Sequence, residues 1–327
     1  MKKYVNLFVF VFMIGACLSQ GRAQTKSAVS YKNPVVDIAM PDPTVIKAAD
    51  GYFYVYATES TRNVPIMKSK DLVEWTYCNT AFTNKTRPRF EPKAGIWAPD
   101  INYINGKYVL YYAMSVWGGE QTCGIGVATA NSPQGPFTDH GKMFRSNEIG
   151  VQNSIDPSLL QYEGRNYLVW GSFRGIYVIE LTTDGLSIMP GAKKKRIAGT
   201  AFEAVYIHKH DDYYYMFASI GSCCQGVKST YKVVVGRSKK VWGPYKDKTG
   251  KPMLKNGYSL VIGANDHFVG NGHGSQIIRD ACTVCGVTLG TPSFYGEDFV
   301  VSERPADEAL TFRQVLALSL IHISEPT

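Results

Sequence analysis

The chain has 327 residues, of which 45% are hydrophobic, 13% aromatic and 19% charged, and its formal net charge is +8. This apolar and aromatic content excludes an intrinsically disordered chain. With 31 glycines and 7 cysteines over this length, the composition also excludes a collagen-like chain and a disulfide-dense mini-protein. The aromatic residues fall in short runs beside Gly and Asp, which favours β-strands over helices.

The first 23 residues are interpreted as an export signal. Two lysines precede an apolar stretch at residues 5–16, which is too short for a membrane span of about 20 residues. Cleavage after Ala23 would follow small residues, whereas residues 14–17 resemble a lipobox that would leave Cys17 lipidated. We therefore expect an exported protein, periplasmic or extracellular, which is attached to the outer membrane only if Cys17 is lipidated.

The remaining cysteines and the basic residues suggest no particular partner. Six cysteines follow the export signal, and the sequence does not choose among their pairings. Cys223 and Cys224 are adjacent, which would strain a bond between them, and the Cys282-x-x-Cys285 motif lacks the second pair or nearby His that a zinc site needs. The basic run at residues 193–196 is interpreted as a solvated loop, so we expect no nucleic-acid partner.

One sequence unit recurs along the chain. It begins with an acid next to Pro or Ala, continues through a tight turn with Gly or Asp into an aromatic strand, and ends with a small residue and then Ser or Thr. Four copies begin near Asp42, Asp100, Asp156 and Glu203, and a fifth start has His273 in the place of the acid. The predicted aromatic strands are residues 52–56, 107–112, 166–170 and 213–217. A third strand follows in each copy, and a fourth is predicted near Trp75, Phe137 and Tyr245.

Four antiparallel strands in each of five repeats predict a β-propeller. The predicted fold class is therefore all-β, with residues 24–327 forming a single five-bladed catalytic domain. Residues 281–327 lack the repeat pattern, and residues 318–327 read like unrelated sequence, so the fifth blade is expected to be incomplete. An unclosed propeller exposes sheet edges, which predicts lower stability than a closed one has.

The repeat also predicts a site. The first strand of each propeller blade lines the central channel, so equivalent residues should converge on one mouth. Carboxylates that converge raise one another's pKa, which argues for chemistry or for a bound cation. Two carboxyl groups that flank a bond are the minimum for glycoside hydrolysis, one protonated as the acid and one ionised as the base. Aromatic residues at the mouth would stack on sugar rings, although each candidate could equally be a core residue: Phe90, Trp97, Trp117 and Tyr206.

These motifs resemble the family 43 glycoside hydrolases, five-bladed propellers that act on plant arabinose and xylose polymers. The resemblance spans residues 33–280. It implies an inverting mechanism with Asp42 as general base, Glu203 as general acid and Asp156 as the residue that modulates the pKa of the acid and orients it. The motif around Asp100 matches another family signature, so we include Asp100 among the substrate-binding residues at the channel mouth.

Within that family, residues 223–231 most closely resemble the endo-1,5-α-L-arabinanases. His273 matches their channel histidine, which implies one central calcium ion bound largely through water and no organic cofactor. The expected partner is a plant cell-wall polysaccharide or oligosaccharide, and the expected state is a monomer. Three alternatives stay open: an exo-acting α-L-arabinofuranosidase or β-xylosidase, a non-catalytic sugar-binding propeller, and a retaining fructan-type hydrolase.

Overall fold

A computed structural model describes residue 36, residues 38–264 and residues 269–273 of the chain. The predictions for the export signal, for Cys282 and Cys285, and for the fifth repeat beyond His273 lie outside these described residues. Within them, no helix is both long enough and apolar enough to cross a membrane.

The described strands form four antiparallel sheets of four strands each. Blade 1 contains β1 (Thr44–Lys47), β2 (Phe53–Tyr56), β3 (Pro65–Ser69) and β4 (Thr76–Thr80). Blade 2 contains β5 (Gly95–Ile104), β6 (Lys107–Ser115), β7 (Gly124–Ala130) and β8 (Thr138–Arg145). Blade 3 contains β9 (Ser158–Tyr162), β10 (Arg165–Trp170), β11 (Ile176–Glu180) and β12 (Lys195–Ala198). Blade 4 contains β13 (Glu203–His210), β14 (Tyr213–Ile220), β15 (Lys232–Ser238) and β16 (Ser259–Ile262).

Each sheet is a meander, because every strand pairs with the next strand along the chain. The first strands of successive blades lie side by side, since β1 contacts β5, β5 contacts β9 and β9 contacts β13. The described helices are short: α1 (Ser146–Ile149) and the 3-10 helices Gly226–Lys228 and Met253–Lys255. The all-β propeller arrangement is confirmed, whereas the described residues contain four blades and leave a fifth as a prediction.

Aromatic side chains hold neighbouring blades together. Strand β2 is buried along its whole length. Tyr56 of β2 meets Phe137 of blade 2 edge to face, with ring centroids 6.1 Å apart. Trp170 of β10 packs against Phe144 of β8, with ring centroids 5.1 Å apart. Burial of each such side chain stabilises the fold by about 1.5–3 kcal/mol, so the predicted aromatic strands supply the packing between blades.

Two details of the strands differ from the predictions. Lys195 and Arg196 of the basic run begin the edge strand β12 and are not in a loop. The fourth strand of blade 4 is β16, whereas the segment near Tyr245 makes only isolated bridges. A turn and the 3-10 helix Met253–Lys255 separate the segment near Tyr245 from the edge strand β16. The edge strand therefore lies further along the chain than the repeat pattern predicts.

The hairpins between first and second strands use the predicted turns. Asn105 (φ 48°) and Gly106 (φ 81°) both have positive φ between β5 and β6, as do Glu163 (φ 48°) and Gly164 (φ 72°) between β9 and β10. Two successive residues of positive φ make the type I′ turn, whose twist matches that of the strands.

We predict that Gly106→Ala lowers the free energy of unfolding by about 1–2 kcal/mol, because an L-residue is strained at this φ. A Cβ at this position would meet no atom within 4 Å, so the conformation alone carries the effect. Urea denaturation measures the change. Gly263→Ala is the matched control, since its Cβ would approach other atoms no closer than 3.5 Å and its φ is not positive. Equal losses for the two variants would contradict the prediction.

Candidate active site

One end of the channel opens into a cavity of about 690 Å³. Its wall forms where the first strands begin and the second strands end. Asp42 lies just before β1, Asp156 lies just before β9, and Glu203 is the first residue of β13. His273, from the segment that follows blade 4, completes the group. The structure therefore brings together four of the five residues that the repeat predicted to converge, and Asp100 is not among them.

The chain has a left-handed conformation at the same place in each repeat. The residues concerned are Asp42 (φ 49°), Ala98 (φ 43°), Asp156 (φ 57°), Ala204 (φ 51°) and His273 (φ 55°). In blades 2 and 4 this residue lies in a β-bulge, because the register shifts between Trp97 and Asp100 and between Glu203 and Tyr206. Such a conformation costs an L-residue about 1–3 kcal/mol and is typical of functional sites.

Asp42 is held by two donors. The Thr58 hydroxyl donates to its Oδ2 over 2.5 Å, and His273 Nδ1 lies 3.0 Å from its Oδ1. Burial alone would lower the pKa of His273, but the charges of Asp42, Asp156 and Glu203 outweigh it and raise the pKa to about 10. The imidazole is therefore protonated at neutral pH, and it donates to Asp42. A carboxylate held in this way is suited to accept a proton from water.

Glu203 is buried, with 7% of its surface exposed. The Ser172 hydroxyl donates to its Oε2 over 2.6 Å. Burial raises the pKa of Glu203, and the charge of Asp42 raises it further, whereas the hydrogen bond from Ser172 lowers it. The net effect is a raised pKa, as a carboxylic acid that donates a proton requires.

Asp156 lines the same cavity and is as buried as Glu203. Its Oδ2 accepts a hydrogen bond from the backbone N–H of Ala204 over 3.1 Å. Burial raises the pKa of Asp156, His273 opposes that effect, and Glu203 and Asp42 raise the pKa further. Because Ala204 follows Glu203 directly, the hydrogen bond fixes the backbone that carries Glu203.

A comparison with known proteins identifies the family. Residues 31–283 match the sequence profile of the glycosyl hydrolases family 43. The chain is a family 43 glycoside hydrolase. It is 38% identical over 259 residues to the extracellular endo-α-(1→5)-L-arabinanase 1 of Bacillus subtilis, a match that covers 73% of this chain and 79% of that protein. It is 37% identical over 268 residues to the extracellular exo-α-(1→5)-L-arabinofuranosidase of Cellvibrio japonicus, which covers 73% and 75%.

The fold of this glycoside hydrolase is also similar to solved structures. The α-L-arabinanase of Cellvibrio cellulosa, solved in complex with arabinohexaose, superposes with a TM-score of 0.66 at 34% identity. The superposition covers 72% of this chain and 82% of that one. A native arabinanase of Bacillus subtilis gives a TM-score of 0.64 at 33% identity and covers 72% of this chain and 85% of its own.

Two of the predicted sugar-stacking residues line the cavity of the hydrolase. Trp97 and Trp117 both lie in its wall, and their ring centroids are 5.6 Å apart. Trp117 is 79% exposed, which is unusual for so large an apolar side chain. The cavity that the acids line therefore also has an exposed aromatic surface.

Asp100 does not lie at the mouth of this cavity, which corrects the position predicted for it. It is buried, and its Oδ2 accepts from the backbone N–H of Leu159 over 2.8 Å and from the side chain of Asn102 over 2.7 Å. It therefore joins β5 to β9 inside the channel. The reason is that Ala98 precedes Pro99 as Asp42 precedes Pro43, so Ala98 has the left-handed position and Asp100 lies two residues further along the strand.

Phe90 and Tyr206 also lie outside the cavity, which corrects their placement too. Phe90 stacks on Tyr112 with ring centroids 6.2 Å apart and packs against the core between blades 1 and 2. Tyr206 is buried with Phe217 within blade 4, and it lines a separate groove along β9 and β13. Both side chains therefore have the core role that the sequence left open as the alternative.

Hydroxyl groups at the ends of the second strands were missed as site residues. Thr58 donates to Asp42, and Ser172 donates to Glu203. The Ser219 hydroxyl accepts from the backbone N–H of His273 over 2.8 Å. Each of these residues is the Ser or Thr that follows a small residue at the end of the repeat unit. The repeat pattern therefore already marked these hydroxyl groups in the sequence. The repeat thus supplies both a functional side chain and the hydroxyl that positions one.

The described residues do not contain a set of three or more His, Cys, Asp or Glu side chains arranged to bind a metal ion. His273 Nδ1 is engaged by Asp42. These residues do not fit a directly coordinated ion, so calcium stays a prediction.

We predict that Ser172→Ala moves the alkaline limb of the pH profile of kcat/KM to higher pH. The lost hydrogen bond stabilised the ionised form of Glu203, so its removal raises the pKa of the acid further and keeps it protonated at higher pH. We also expect kcat to fall by about tenfold, because the carboxyl group is less firmly oriented. Initial rates across the pH range measure both effects.

Ser69→Ala is the control for this prediction. Ser69 is another buried serine, and it donates to Asp71 over 2.9 Å in blade 1. Its loss should lower stability and leave the alkaline limb in place. An unchanged limb in Ser172→Ala would show that Ser172 does not tune the general acid.

Proposed function

We propose that this glycoside hydrolase cleaves internal α-1,5 linkages of L-arabinan, as an arabinan endo-1,5-α-L-arabinosidase. The observation that carries the proposal is the cluster of Asp42, Asp156 and Glu203 at the base of a cavity walled by Trp97 and Trp117. The names of the relatives from Bacillus subtilis and Cellvibrio japonicus support α-1,5-linked arabinan as the substrate.

In the proposed mechanism, Asp42 removes a proton from a water molecule. The water attacks the anomeric carbon from the face opposite to the leaving group, and Glu203 protonates the leaving oxygen in the same step. The bond to the leaving oxygen breaks, a new C–O bond forms, and the configuration inverts. His273 keeps Asp42 in its ionised state by donating a hydrogen bond.

Asp156 does not touch the reacting atoms in this scheme. It accepts a hydrogen bond from the Ala204 N–H and so holds the backbone beside Glu203, and burial raises its own pKa. Burial raises the pKa of Glu203 most and the negative charge of Asp42 raises it further, so the acid retains its proton until the leaving group accepts it. The unequal surroundings of Asp42 and Glu203 support the proposed roles of base and acid.

The same site supports an exo-acting α-L-arabinofuranosidase as a second candidate, because the Cellvibrio japonicus relative carries that name. Trp117 favours endo action. Its ring lies beyond Trp97 and is largely exposed, so it extends the stacking surface outward, where further residues of a polymer would lie. We also propose export of the protein, since both of these relatives are named extracellular, and action as a monomer.

Digestion of linear α-1,5-arabinan with products sized over time tests the mode of action. We expect a ladder of oligosaccharides at early times, because internal cleavage produces long fragments first. Release of arabinose alone would support the exo-acting candidate. Absence of any product from folded enzyme would contradict the proposed substrate, and parallel assays with xylan and fructan would then test the other polymers.

We predict that Glu203→Gln lowers kcat by about 10²–10⁴-fold, because the amide cannot donate a proton to the leaving oxygen. The isosteric amide should leave the melting temperature close to that of the parent enzyme. Proton NMR of the first product of the parent enzyme should show the inverted anomer. Full activity in Glu203→Gln would refute its role as acid, and a retained anomer would refute the single-displacement mechanism.

A further inference from the structure

A buried tyrosine hydroxyl in the cavity wall completes no hydrogen bond. Tyr231 lies directly before β15 and lines the same cavity as Glu203. In the part of the chain that the structure describes, the Oη atom of Tyr231 is buried and has no aligned hydrogen-bond partner. An unpaired buried hydroxyl destabilises a fold, so native proteins seldom contain one without a functional reason.

The side chain of Tyr231 is fixed by its neighbours. Only 2% of the residue's surface is exposed. Gly272 packs so closely against the ring that a Cβ there would approach Cδ1 to 2.1 Å. Tyr231 also ends the loop of residues 221–231, whose base is closed because Thr230 N donates to the Ser222 carbonyl over 3.0 Å. The hydroxyl is therefore held inside the cavity wall and away from solvent.

The acids act on this hydroxyl, and it acts on one of them. Burial raises the pKa of Tyr231 most, and the charges of Glu203, Asp156 and Asp42 raise it further. The phenol therefore keeps its proton at neutral pH and is available as a donor. Burial raises the pKa of Glu203, whereas the hydroxyls of Ser172 and then Tyr231 lower it. Tyr231 Oη is thus close enough to act on Glu203, although it is not aligned for a hydrogen bond.

We propose that Tyr231 is a positioning residue that donates a hydrogen bond to Glu203 as the Glu203 carboxyl group gives its proton to the leaving oxygen. The proposal deepens the proposed function and rests on it, because it requires Glu203 to be the general acid.

The change of charge on Glu203 explains why the hydroxyl is unpaired in the resting enzyme. The raised pKa of Glu203 makes it a neutral acid before the reaction, and hydrogen bonds between neutral groups are the weaker kind. The carboxylate that forms in the reaction accepts a hydrogen bond about twice as strong. A donor already fixed beside the carboxyl group stabilises this charge as it develops, without reorganisation of the wall.

Two substrates that differ in their leaving group test the proposal. Tyr231→Phe keeps the ring and removes the hydroxyl. We expect kcat for linear arabinan to fall about ten- to a hundredfold, because a sugar leaving group needs the proton of Glu203. We expect kcat for release of 4-nitrophenol from 4-nitrophenyl α-1,5-arabinotrioside to change less than about twofold, because nitrophenolate leaves as a stable anion.

Two results with these substrates would overturn the proposal. Equal losses on both would show that the Tyr231 hydroxyl binds the sugar and does not act through Glu203. An unchanged kcat for arabinan would show that the hydroxyl has no part in the step.

Tyr111→Phe is the matched control. Tyr111 is another fully buried tyrosine, and its hydroxyl donates to the Gly185 carbonyl over 2.9 Å, outside the cavity. We expect its loss to lower the melting temperature and to leave both rates unchanged. Tyr231→Phe removes a hydroxyl that is unpaired in the resting enzyme, so its melting temperature should equal or exceed that of the parent. A fall as large as that of Tyr111→Phe would show that the Tyr231 hydroxyl is already bonded, which would overturn the proposal.

A titration separates this proposal from the proposed function. In enzyme labelled with ¹³C at the glutamate carboxyl groups, NMR measures the pKa of Glu203, and Glu203→Gln identifies its signal. We expect Tyr231→Phe to raise this pKa by about 1 pH unit, because the lost donor favours the ionised form. The variant retains the other titratable groups that act on Glu203 or share its cavity: Asp42, Asp156, Cys223 and His273.

The titration reads the contact between Tyr231 and Glu203 whatever the substrate is. An unchanged pKa of Glu203 in Tyr231→Phe would overturn the proposal. A raised pKa in an enzyme whose parent cleaves neither substrate would support Tyr231 as the donor to Glu203 and would refute the proposed function.

Discussion

Electrostatic repulsion among buried carboxyl groups governs the arrangement of the active site. The groups concerned are Asp42, Asp156 and Glu203, with His273 beside them. Three carboxyl groups cannot all ionise in one buried cluster, because like charges at short range raise one another's pKa. The cluster resolves this conflict by dividing the protons. His273 is protonated beside Asp42, whereas Glu203 and Asp156 have raised pKa values. This division separates a base from an acid within one cavity, which is what hydrolysis of a glycosidic bond requires.

Such a cluster does not stabilise a fold, so the surrounding structure has to hold it. Aromatic packing between blades holds the strands that carry the cluster, because it fixes the first strands around one channel. The hydroxyls of Thr58 and Ser172 hold the carboxyl groups of Asp42 and Glu203 directly through hydrogen bonds. The left-handed residues at the start of each blade have the same purpose, because they turn the chain so that the functional side chains enter the cavity.

The loop with Cys223 and Cys224 shows how a propeller adds specificity to this shared frame. Its base is fixed to blade 4 by the hydrogen bonds between Ser222 and Thr230, and its tip reaches the cavity wall. The acids lie at the strand ends, whereas the side chains further out in the cavity wall lie on loops. The exposed Trp117, between β6 and β7, follows the same rule.

Much of the fold and the acid cluster could be predicted from the sequence, because a repeat gives the same backbone path to each copy. Asp42, Asp156, Glu203 and His273 were identified in this way, and their positions in the cavity followed from the geometry of a propeller. Asp100 shows where that reasoning stops. Its motif also joins an acid to Pro, but Ala98 takes the left-handed position before Pro99, so Asp100 lies two residues further along β5 and accepts a hydrogen bond from β9.

Most of the strands, the turns between them and the acids of the cluster could be predicted from the sequence, because they depend on local residue types and their spacing. Only the tertiary structure decided which aromatic residues face the cavity and which pack between blades. Trp97 and Trp117 lie in the cavity wall, whereas Phe90 and Tyr206 do not, although all four were equal candidates in the sequence. The physical reason is that an aromatic side chain gains free energy from burial in the core or against a sugar alike, and the packing of neighbouring blades decides which surface it meets.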